Sequence, residues 1–246
     1  MPPNPHTSRD FEAELRELRG QALAMGARCE RILTLALEAF WQGSTALAAD
    51  IEHLDMQIDR DEMDIDALVL RILALRQPVA YDLRFLATAL KLVTDLERIG
   101  DEAVNIAERT REGPGLARDV VKAELREMSE IAQAMLRDVL DAFVHGDCSR
   151  AEEVLTRDDE VDRRYGRVLR TMTEFIAKHP DDVSAGIRII HVAKYLERVA
   201  DHATNIAEEV IFMLRGDDVR HLRTHPPPEV KAAPEAKVSE GSKIKN

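Results

Sequence analysis

The 246-residue sequence has little of several residue types that particular classes of function require. Its two cysteines, Cys29 and Cys148, show neither metal-site nor paired-disulfide spacing, so we expect a reducing compartment. Basic residues are outnumbered, and the net charge of −12 argues against nucleic-acid binding, which needs a cationic face. No apolar run approaches the roughly 20 residues of a membrane span, and the start lacks a signal-peptide layout. We therefore expect a cytoplasmic protein that reaches membranes only through partners.

Aromatic side chains make up only 4% of the chain, glycine is sparse, and apolar residues recur at helical spacing almost throughout. This pattern predicts an all-α protein. Five breaks interrupt it, at Gly43, Pro78, Gly113 to Gly115, Gly146 and Pro180. They leave six long helices, at about 9–42, 46–76, 80–112, 117–145, 148–178 and 181–215.

An internal repeat organises the helices. The phrases LERIGDEAVNIAE and LERVADHATNIAE begin at Leu96 and Leu196, and nine of their thirteen positions match. The segments DMQID and DDEVD, in the second and fifth helices, pair in the same way with a shift of 103. We infer two pseudo-symmetric three-helix bundles from an internal duplication, over residues 9–112 and 117–215. A duplication kept only for stability would leave the same periodicity, so the repeat alone does not indicate a function.

The two chain ends differ from this helical part. Residues 1–8 carry three prolines, and residues 216–246 contain PPP and several lysines with few large apolar side chains. Such segments cannot bury enough apolar surface to offset the entropy of ordering them. We expect both ends to be disordered.

Acidic residues interrupt stripes that should pack against other helices. At about 100° per residue, Glu97 and Asp101 continue the apolar line of Leu86 and Val93 in the third helix. In the fifth helix the same spacing predicts one packed stripe of Ala151, Leu155, Asp158, Asp162, Tyr165 and Leu169. The acids on such faces are Asp55, Asp59, Glu97 and Asp101 in the first half, and Asp158, Asp162, Glu197 and Asp201 in the second.

Acids on packed faces need a source of positive charge, because burying an unpaired carboxylate costs several kcal/mol. Arginine is one source, although Arg98 and Arg198 directly follow the glutamates and should turn toward neighbouring helices. Divalent metal ions are another, since facing pairs of carboxylates at i and i+4 can hold Mg, Ca, Mn or Fe, including multinuclear sites. A solvated groove, or arginines from other helices, would also account for the acids, but four matched pairs within apolar stripes favour metal binding.

Four further polar residues lie near these stripes. Glu62 extends the acidic line of the second helix, while Asn105 and Asn205 could complete a coordination shell or hydrogen-bond an adjacent helix. His202 lies well around its helix from the acids, so we interpret it as a surface or interhelix histidine. The sequence contains no catalytic-triad layout, Gly-rich phosphate loop or reactive-cysteine setting, and we do not expect an enzyme.

At these residues the sequence resembles the PhoU family, the accessory proteins of the high-affinity phosphate transporter. The resemblance rests on QPVAYDLRFL at Gln77–Leu86, DLERIGDEAVNIAE at Asp95–Glu108 and YLERVADHATNIAEEV at Tyr195–Val210. The paired aspartate segments of the second and fifth helices complete it. It covers roughly residues 8 to 216 in family order.

The resemblance implies two three-helix bundles in a cytoplasmic, commonly dimeric regulator that represses the phosphate-starvation response when phosphate is plentiful. Family members link the ATP-binding subunit of the phosphate ABC transporter to a sensor histidine kinase, and they restrain phosphate uptake. Some relatives bind multinuclear iron, manganese, magnesium or zinc through the acidic motifs. The matching positions in this chain are Asp55, Asp59, Glu97, Asp101, Asp158, Asp162, Glu197 and Asp201.

One departure from the duplication concerns the second half. Glu62 and Asp66 align there with Tyr165 and Leu169, so we expect a second site that is poorer in acids. Two alternatives to the regulatory adaptor stay open at this point. One is a carboxylate-cluster metalloenzyme acting on phosphoesters, and the other is a purely structural or metal-storage bundle.

Overall fold

A computed structural model of the chain describes residues 9–110 and 115–219, and these ranges are helical without a β-strand. The all-α prediction is confirmed. No helix in the described ranges is long and apolar enough to cross a membrane. The disorder predicted for residues 1–8 and 220–246 falls outside the described residues. The α-helices are α1 (Arg9–Gln42), α2 (Ala48–Arg76), α3 (Ala80–Glu108), α4 (Gly115–Val120), α5 (Lys122–His145), α6 (Cys148–Lys178) and α7 (Val183–Arg215).

Glycine and proline end the helices close to the predicted positions. Gly43 follows α1 with φ 64°, and Gly146 follows α5 with φ 65°, in the left-handed region that glycine adopts without steric penalty. The Asp147 side chain then accepts a hydrogen bond from the Arg150 backbone N–H at 3.1 Å and caps the start of α6. A short 3₁₀ turn over Pro180–Asp182 precedes α7.

The predicted helix 117–145 is wrong in one respect, because the structure divides it into α4 and α5 at Val121. Val121 leaves the helical region with φ −118° and ψ 20°, and two successive valines disfavour a helix because their side chains lose rotamer freedom. The Arg118 guanidinium also donates to the backbone oxygens of Phe40 and Trp41, at 3.2 and 3.0 Å. These bonds hold α4 against the end of α1. The third helix also ends earlier than predicted, at Glu108.

The helices form two groups of three. Helices α1, α2 and α3 pack against one another, as do α5, α6 and α7, and the groups meet through α3 against α7 and α1 against α5. The α3–α7 pair is antiparallel. Arg84 near the start of α3 donates to the Met213 backbone oxygen at 3.1 Å, and Arg109 just after α3 donates to the Tyr195 hydroxyl at 3.2 Å. The inferred pseudo-symmetric pair of bundles agrees with this arrangement.

The contact between α1 and α5 depends on a glycine. A Cβ atom added at Gly26 would lie 2.7 Å from Leu140 Cδ2 and 3.0 Å from Leu140 Cδ1, closer than carbon atoms normally approach. Both residues are buried. Gly26 therefore allows α1 to approach α5 between the two halves.

We predict that Gly26→Val lowers the free energy of unfolding by roughly 1–3 kcal/mol, because the side chain overfills this contact. Gly20 on the same helix has no atom within 4 Å of an added Cβ. Gly20→Ala should therefore raise stability by up to about 1 kcal/mol through helix propensity alone. Urea unfolding followed by circular dichroism measures both. Equal effects of the two substitutions would contradict the assigned close approach.

Candidate metal-binding clusters

The predicted acidic residues of the first half converge between α2 and α3. We name Asp55, Asp59, Glu97 and Asp101 the first acidic cluster. Gly100 on α3 lets α2 come close at this point, since a Cβ there would lie 3.3 Å from Ile58 Cδ1 and 3.9 Å from Asp55 Oδ1. A cavity of about 220 Å³, lined in part by Asp55, opens beside the cluster.

The cluster lies at the edge of the packed face, which corrects the expectation of a buried stripe. The Glu97 side chain is 19% exposed, but that of Asp101 is 46% exposed, and Asp59 is exposed. The core of α3 is formed by neighbouring residues such as Leu96 and Ile99. Residues at i and i+4 on the rim of a packed face have the same spacing as residues at its centre. Spacing alone therefore could not separate the two positions.

The acids of the first cluster interact with one another. Burial raises the pKa of Glu97, and the negative charge of Asp101 adds to this effect. Burial likewise raises the pKa of Asp55, with added contributions from Asp59 and Asp101. Arg98 offsets part of the repulsion, since its Nε lies 3.3 Å from Glu97 Oε2 and its Nη1 lies 3.5 Å from Asp101 Oδ2. Our expectation that Arg98 turns away from these acids is wrong, because its long side chain lies along the surface of α3 and contacts both Glu97 and Asp101.

The second acidic cluster, Asp158, Asp162, Glu197 and Asp201, lies between α6 and α7. Asp158 is half-buried, whereas Asp162 is exposed. The packed line of α6 runs through Val154, Val161 and Val168. Of the predicted stripe, Ala151 is buried and Leu155 and Tyr165 pack against the core, but the exposure of Asp162 contradicts a fully packed stripe. Leu169 at the end of that stripe is 39% exposed, which also contradicts it.

In the second cluster, the pKa of Asp201 is raised. Protein atoms around it remove part of its hydration and raise its pKa to about 6, and the charges of Glu197 and Asp158 add to this rise. Asp201 is nevertheless solvent-accessible, as expected for a residue lining an open groove. Four acids from two helices thus share one region of unfavourable negative potential.

A lysine distinguishes the second cluster from the first. The Lys194 ammonium hydrogen-bonds Glu197 and lies 5.4 Å from the centre of the Tyr165 ring. The matching pair in the first half is Thr94 and Glu62, whose Oγ1 and Oε1 atoms are 3.2 Å apart. The second half therefore carries the Lys194 ammonium where the first half carries the Thr94 hydroxyl, and the Tyr165 phenol where the first half carries the Glu62 carboxylate. The prediction of a second site poorer in acids agrees with this geometry.

The first cluster suits a hard divalent cation by its all-oxygen donor set. Glu97 Oε2 is buried and accepts no hydrogen bond within the described chain. However, among residues 9–110 and 115–219 no three His, Cys, Asp or Glu side chains are already placed to hold a metal ion. Binding would require rotations of these side chains, and metal binding at either cluster stays a prediction.

Of the remaining polar candidates, His202 and Asn205 join α7 to α3, whereas Asn105 bonds within α3. His202 Nδ1 lies 2.8 Å from Asp95 Oδ1, which confirms an interhelix histidine, and Asn205 donates to the same oxygen at 3.2 Å. Asn105 donates to Glu102 Oε2 at 3.4 Å. For both asparagines the structure thus gives a hydrogen bond to protein.

Sequence reasoning missed the polar contacts between α3 and α7. Arg198 donates to the buried Glu102 at 3.1 Å, which agrees with our expectation that Arg198 reaches a neighbouring helix, but the sequence did not identify Glu102 as its partner. Lys91 donates to the buried Glu209 at 2.7 Å. The repeated phrase contained a sign of these contacts. At one of the positions where its two copies differ, the first has Glu102 and the second has His202, and both residues contact the other half of the chain.

Comparison with known proteins finds a family model that matches both halves of the chain. A family model described as PhoU domain matches residues 22–110 and again 125–210. The phosphate-specific transport system accessory protein PhoU homolog of Pseudomonas putida is 41% identical over 221 residues, covering 88% of this chain and 85% of that protein.

Two crystal structures have the same fold. PhoU from Pseudomonas aeruginosa superimposes with a TM-score of 0.81 at 39% identity, covering 84% of this chain and all of that one. The phosphate transport system regulatory protein PhoU from Streptococcus pneumoniae gives a TM-score of 0.75 at 28% identity, covering 85% of this chain and 99% of that one.

We predict that Asp201→Asn stabilises the metal-free protein at neutral pH. The folded-state pKa of Asp201, about 6, exceeds the ordinary value of 3.8, so the folded state binds the proton more tightly than the unfolded state. Ionised Asp201 therefore destabilises the fold above pH 6, and this penalty disappears as the pH falls toward 4. Thermal unfolding of both proteins in a chelating buffer should show a stability gain at pH 7.5 that shrinks at pH 4. A gain independent of pH would contradict the assignment.

Proposed function

The chain belongs to the PhoU family, and from that premise we propose that it is a cytoplasmic negative regulator of the phosphate-starvation response. Its role is associated with phosphate transport, as the names of its relatives indicate. In the proposal it links the ATP-binding subunit of the phosphate ABC transporter to a sensor histidine kinase. It restrains uptake when phosphate is plentiful, and it works as a homodimer.

The observation that carries this proposal is the family match over both halves, together with the duplicated acidic phrase. Long helices in two bundles present extended faces to protein partners, as an adaptor requires. The relatives are named as accessory or regulatory proteins, and we propose that this chain is likewise not an enzyme. No observation favours the alternative of a metalloenzyme acting on phosphoesters.

We further propose that divalent or iron-type metal ions brace the bundle at the first acidic cluster. Asp55 and Asp59 on α2 would hold the ion with Glu97 and Asp101 on α3, and Glu62 lies beside them. A bound cation would supply the positive charge that offsets the repulsion raising the pKa values of Asp55 and Glu97.

The second acidic cluster should bind metal more weakly. Lys194 already supplies a positive charge there, and its ammonium would have to leave Glu197 before that carboxylate could serve a metal ion. Thr94 at the matching position of the first half carries no charge. Arg98 does contact the first cluster, but its contacts are longer, at 3.3 and 3.5 Å, and its side chain is mostly exposed. The proposal therefore assigns the two halves different metal affinities.

We predict that Glu97→Gln with Asp101→Asn removes most of the bound metal while the fold survives, because both groups lie at the rim of the core. The matched pair Glu197→Gln with Asp201→Asn should remove less. Elemental analysis of protein dialysed against manganese gives the stoichiometry, and circular dichroism checks the fold. Unchanged metal content in the first double variant would rule out our assignment.

Exchanging Lys194 and Thr94, which occupy matching positions in the two halves, should change the metal affinities of the two clusters in opposite directions. Lys194→Thr should raise the metal affinity of the second cluster, and Thr94→Lys should lower that of the first, because one positive charge is removed or added beside the carboxylates. Isothermal titration with manganese measures both. The same affinity in all three proteins would refute the role given to Lys194.

We predict that deleting the gene derepresses a phosphate-starvation reporter in phosphate-rich medium, and that the wild-type gene restores repression. A tagged chain should recover the transporter ATP-binding subunit and the sensor kinase from phosphate-replete cells. As a control, the gene carrying Thr173→Glu, an exposed substitution outside both acidic clusters, should restore repression as the wild-type gene does. Normal repression in the deletion strain would contradict the regulatory role.

A further inference from the structure

Helix α2 exposes a line of large apolar side chains on the face opposite the core. Met56, Met63 and Leu70 are 55%, 63% and 60% exposed. Their spacing of seven residues is close to two helical turns, so the three side chains lie on one line along the helix. We name Met56, Met63 and Leu70 the α2 stripe.

The fold itself does not require these side chains. With the shift of 103 that relates α2 to α6, the matching residues are Asp159, Gly166 and Thr173. The second half builds the same kind of three-helix bundle without an apolar residue at any of these positions. The α2 stripe is therefore an addition to the first half, and its burial by another molecule would be favourable.

Charges of opposite sign border the stripe. Asp59 lies about 40° to one side of Met63 around the helix axis, and Arg60 lies about 60° to the other side. About two turns earlier, Glu52 and His53 flank the line in the same order. Asp59 and Arg60 are both exposed, and neither forms a hydrogen bond or ion pair within residues 9–110 and 115–219.

This arrangement of charge favours a second copy of the chain in one orientation. Two copies of α2 packed antiparallel would place basic edge against basic edge and acidic edge against acidic edge. Two copies packed in parallel around a two-fold axis along the helices bring each acidic edge to the basic edge of the other copy. The same rotation brings every apolar side chain of the stripe against its own counterpart.

We propose that the α2 stripe is a self-association surface, on which two copies of this chain pack α2 in parallel. The Asp59 carboxylate of each copy then pairs with the Arg60 guanidinium of the other. This inference deepens the proposed homodimer by assigning its surface and orientation. The stripe from Met56 to Leu70 is only about 21 Å long, and a standard interface buries about 800 Å² on each partner. We therefore expect dissociation in the range of about 1 µM rather than 1 nM.

Sedimentation velocity of the full chain over a wide concentration range tests the surface. Leu70→Glu should weaken self-association at least about tenfold, because two carboxylates then meet across the two-fold axis. Thr173→Glu introduces the same residue at the matching exposed position of α6 and should leave association unchanged. Circular dichroism confirms that both variants fold.

The charge pairs test the orientation. Arg60→Glu and Asp59→Arg should each weaken self-association, since each places like charges side by side. An equal mixture of the two variants should restore association as heterodimers, seen as a species of intermediate mass by native mass spectrometry. All samples contain a chelator, so that the proposed role of Asp59 in metal binding does not affect the result.

Three results would overturn the proposal, and they separate it from the proposed function. Wild-type chain that stays monomeric at all concentrations would refute both the homodimer and its surface. A dimer that is insensitive to Leu70→Glu would refute the surface while the homodimer stands. Weakening by Leu70→Glu without any effect of Arg60→Glu would refute the parallel orientation, because antiparallel helices do not bring Arg60 to Asp59.

Discussion

The antiparallel packing of α3 against α7 is the contact on which the rest of the structure depends. It joins the two bundles, and its buried carboxylates would be costly without their partners. Lys91 reaches Glu209, Arg198 reaches Glu102, and His202 meets Asp95. Because α3 and α7 pack against each other along one face, another flank of α3 can contact α2, and another flank of α7 can contact α6. The acidic clusters form along those flanks.

Each of these two helices therefore has three different faces. One face packs into the core of its own bundle, one contacts the other bundle, and the rim between core and solvent carries the acids. A carboxylate on the rim keeps part of its hydration, which explains how Glu97 and Asp101 persist beside an apolar core without full neutralisation. The same position keeps the charge of Asp101 close enough to add to the burial that raises the pKa of Glu97, and it leaves both groups accessible to a cation from solution.

The duplicated halves have diverged in ways that concern surfaces rather than packing. Lys194 and Tyr165 replace Thr94 and Glu62 beside the acids, and the apolar stripe of α2 has no counterpart on α6. The helices themselves and their cores are retained in both halves. Such divergence is tolerated because exposed side chains change at little cost in stability.

The sequence by itself determined the helices and their pairing into halves, because apolar periodicity and Gly or Pro breaks act locally along the chain. It also identified which acids would approach one another, since residues at i and i+4 share a face and the repeat supplied a second copy. Only the tertiary structure decided that these acids lie on the rim, that Arg98 folds back onto them, and that Glu102 and His202 serve the contact between halves. Those outcomes depend on the rotation of each helix relative to its neighbours, which packing sets across residues distant in sequence.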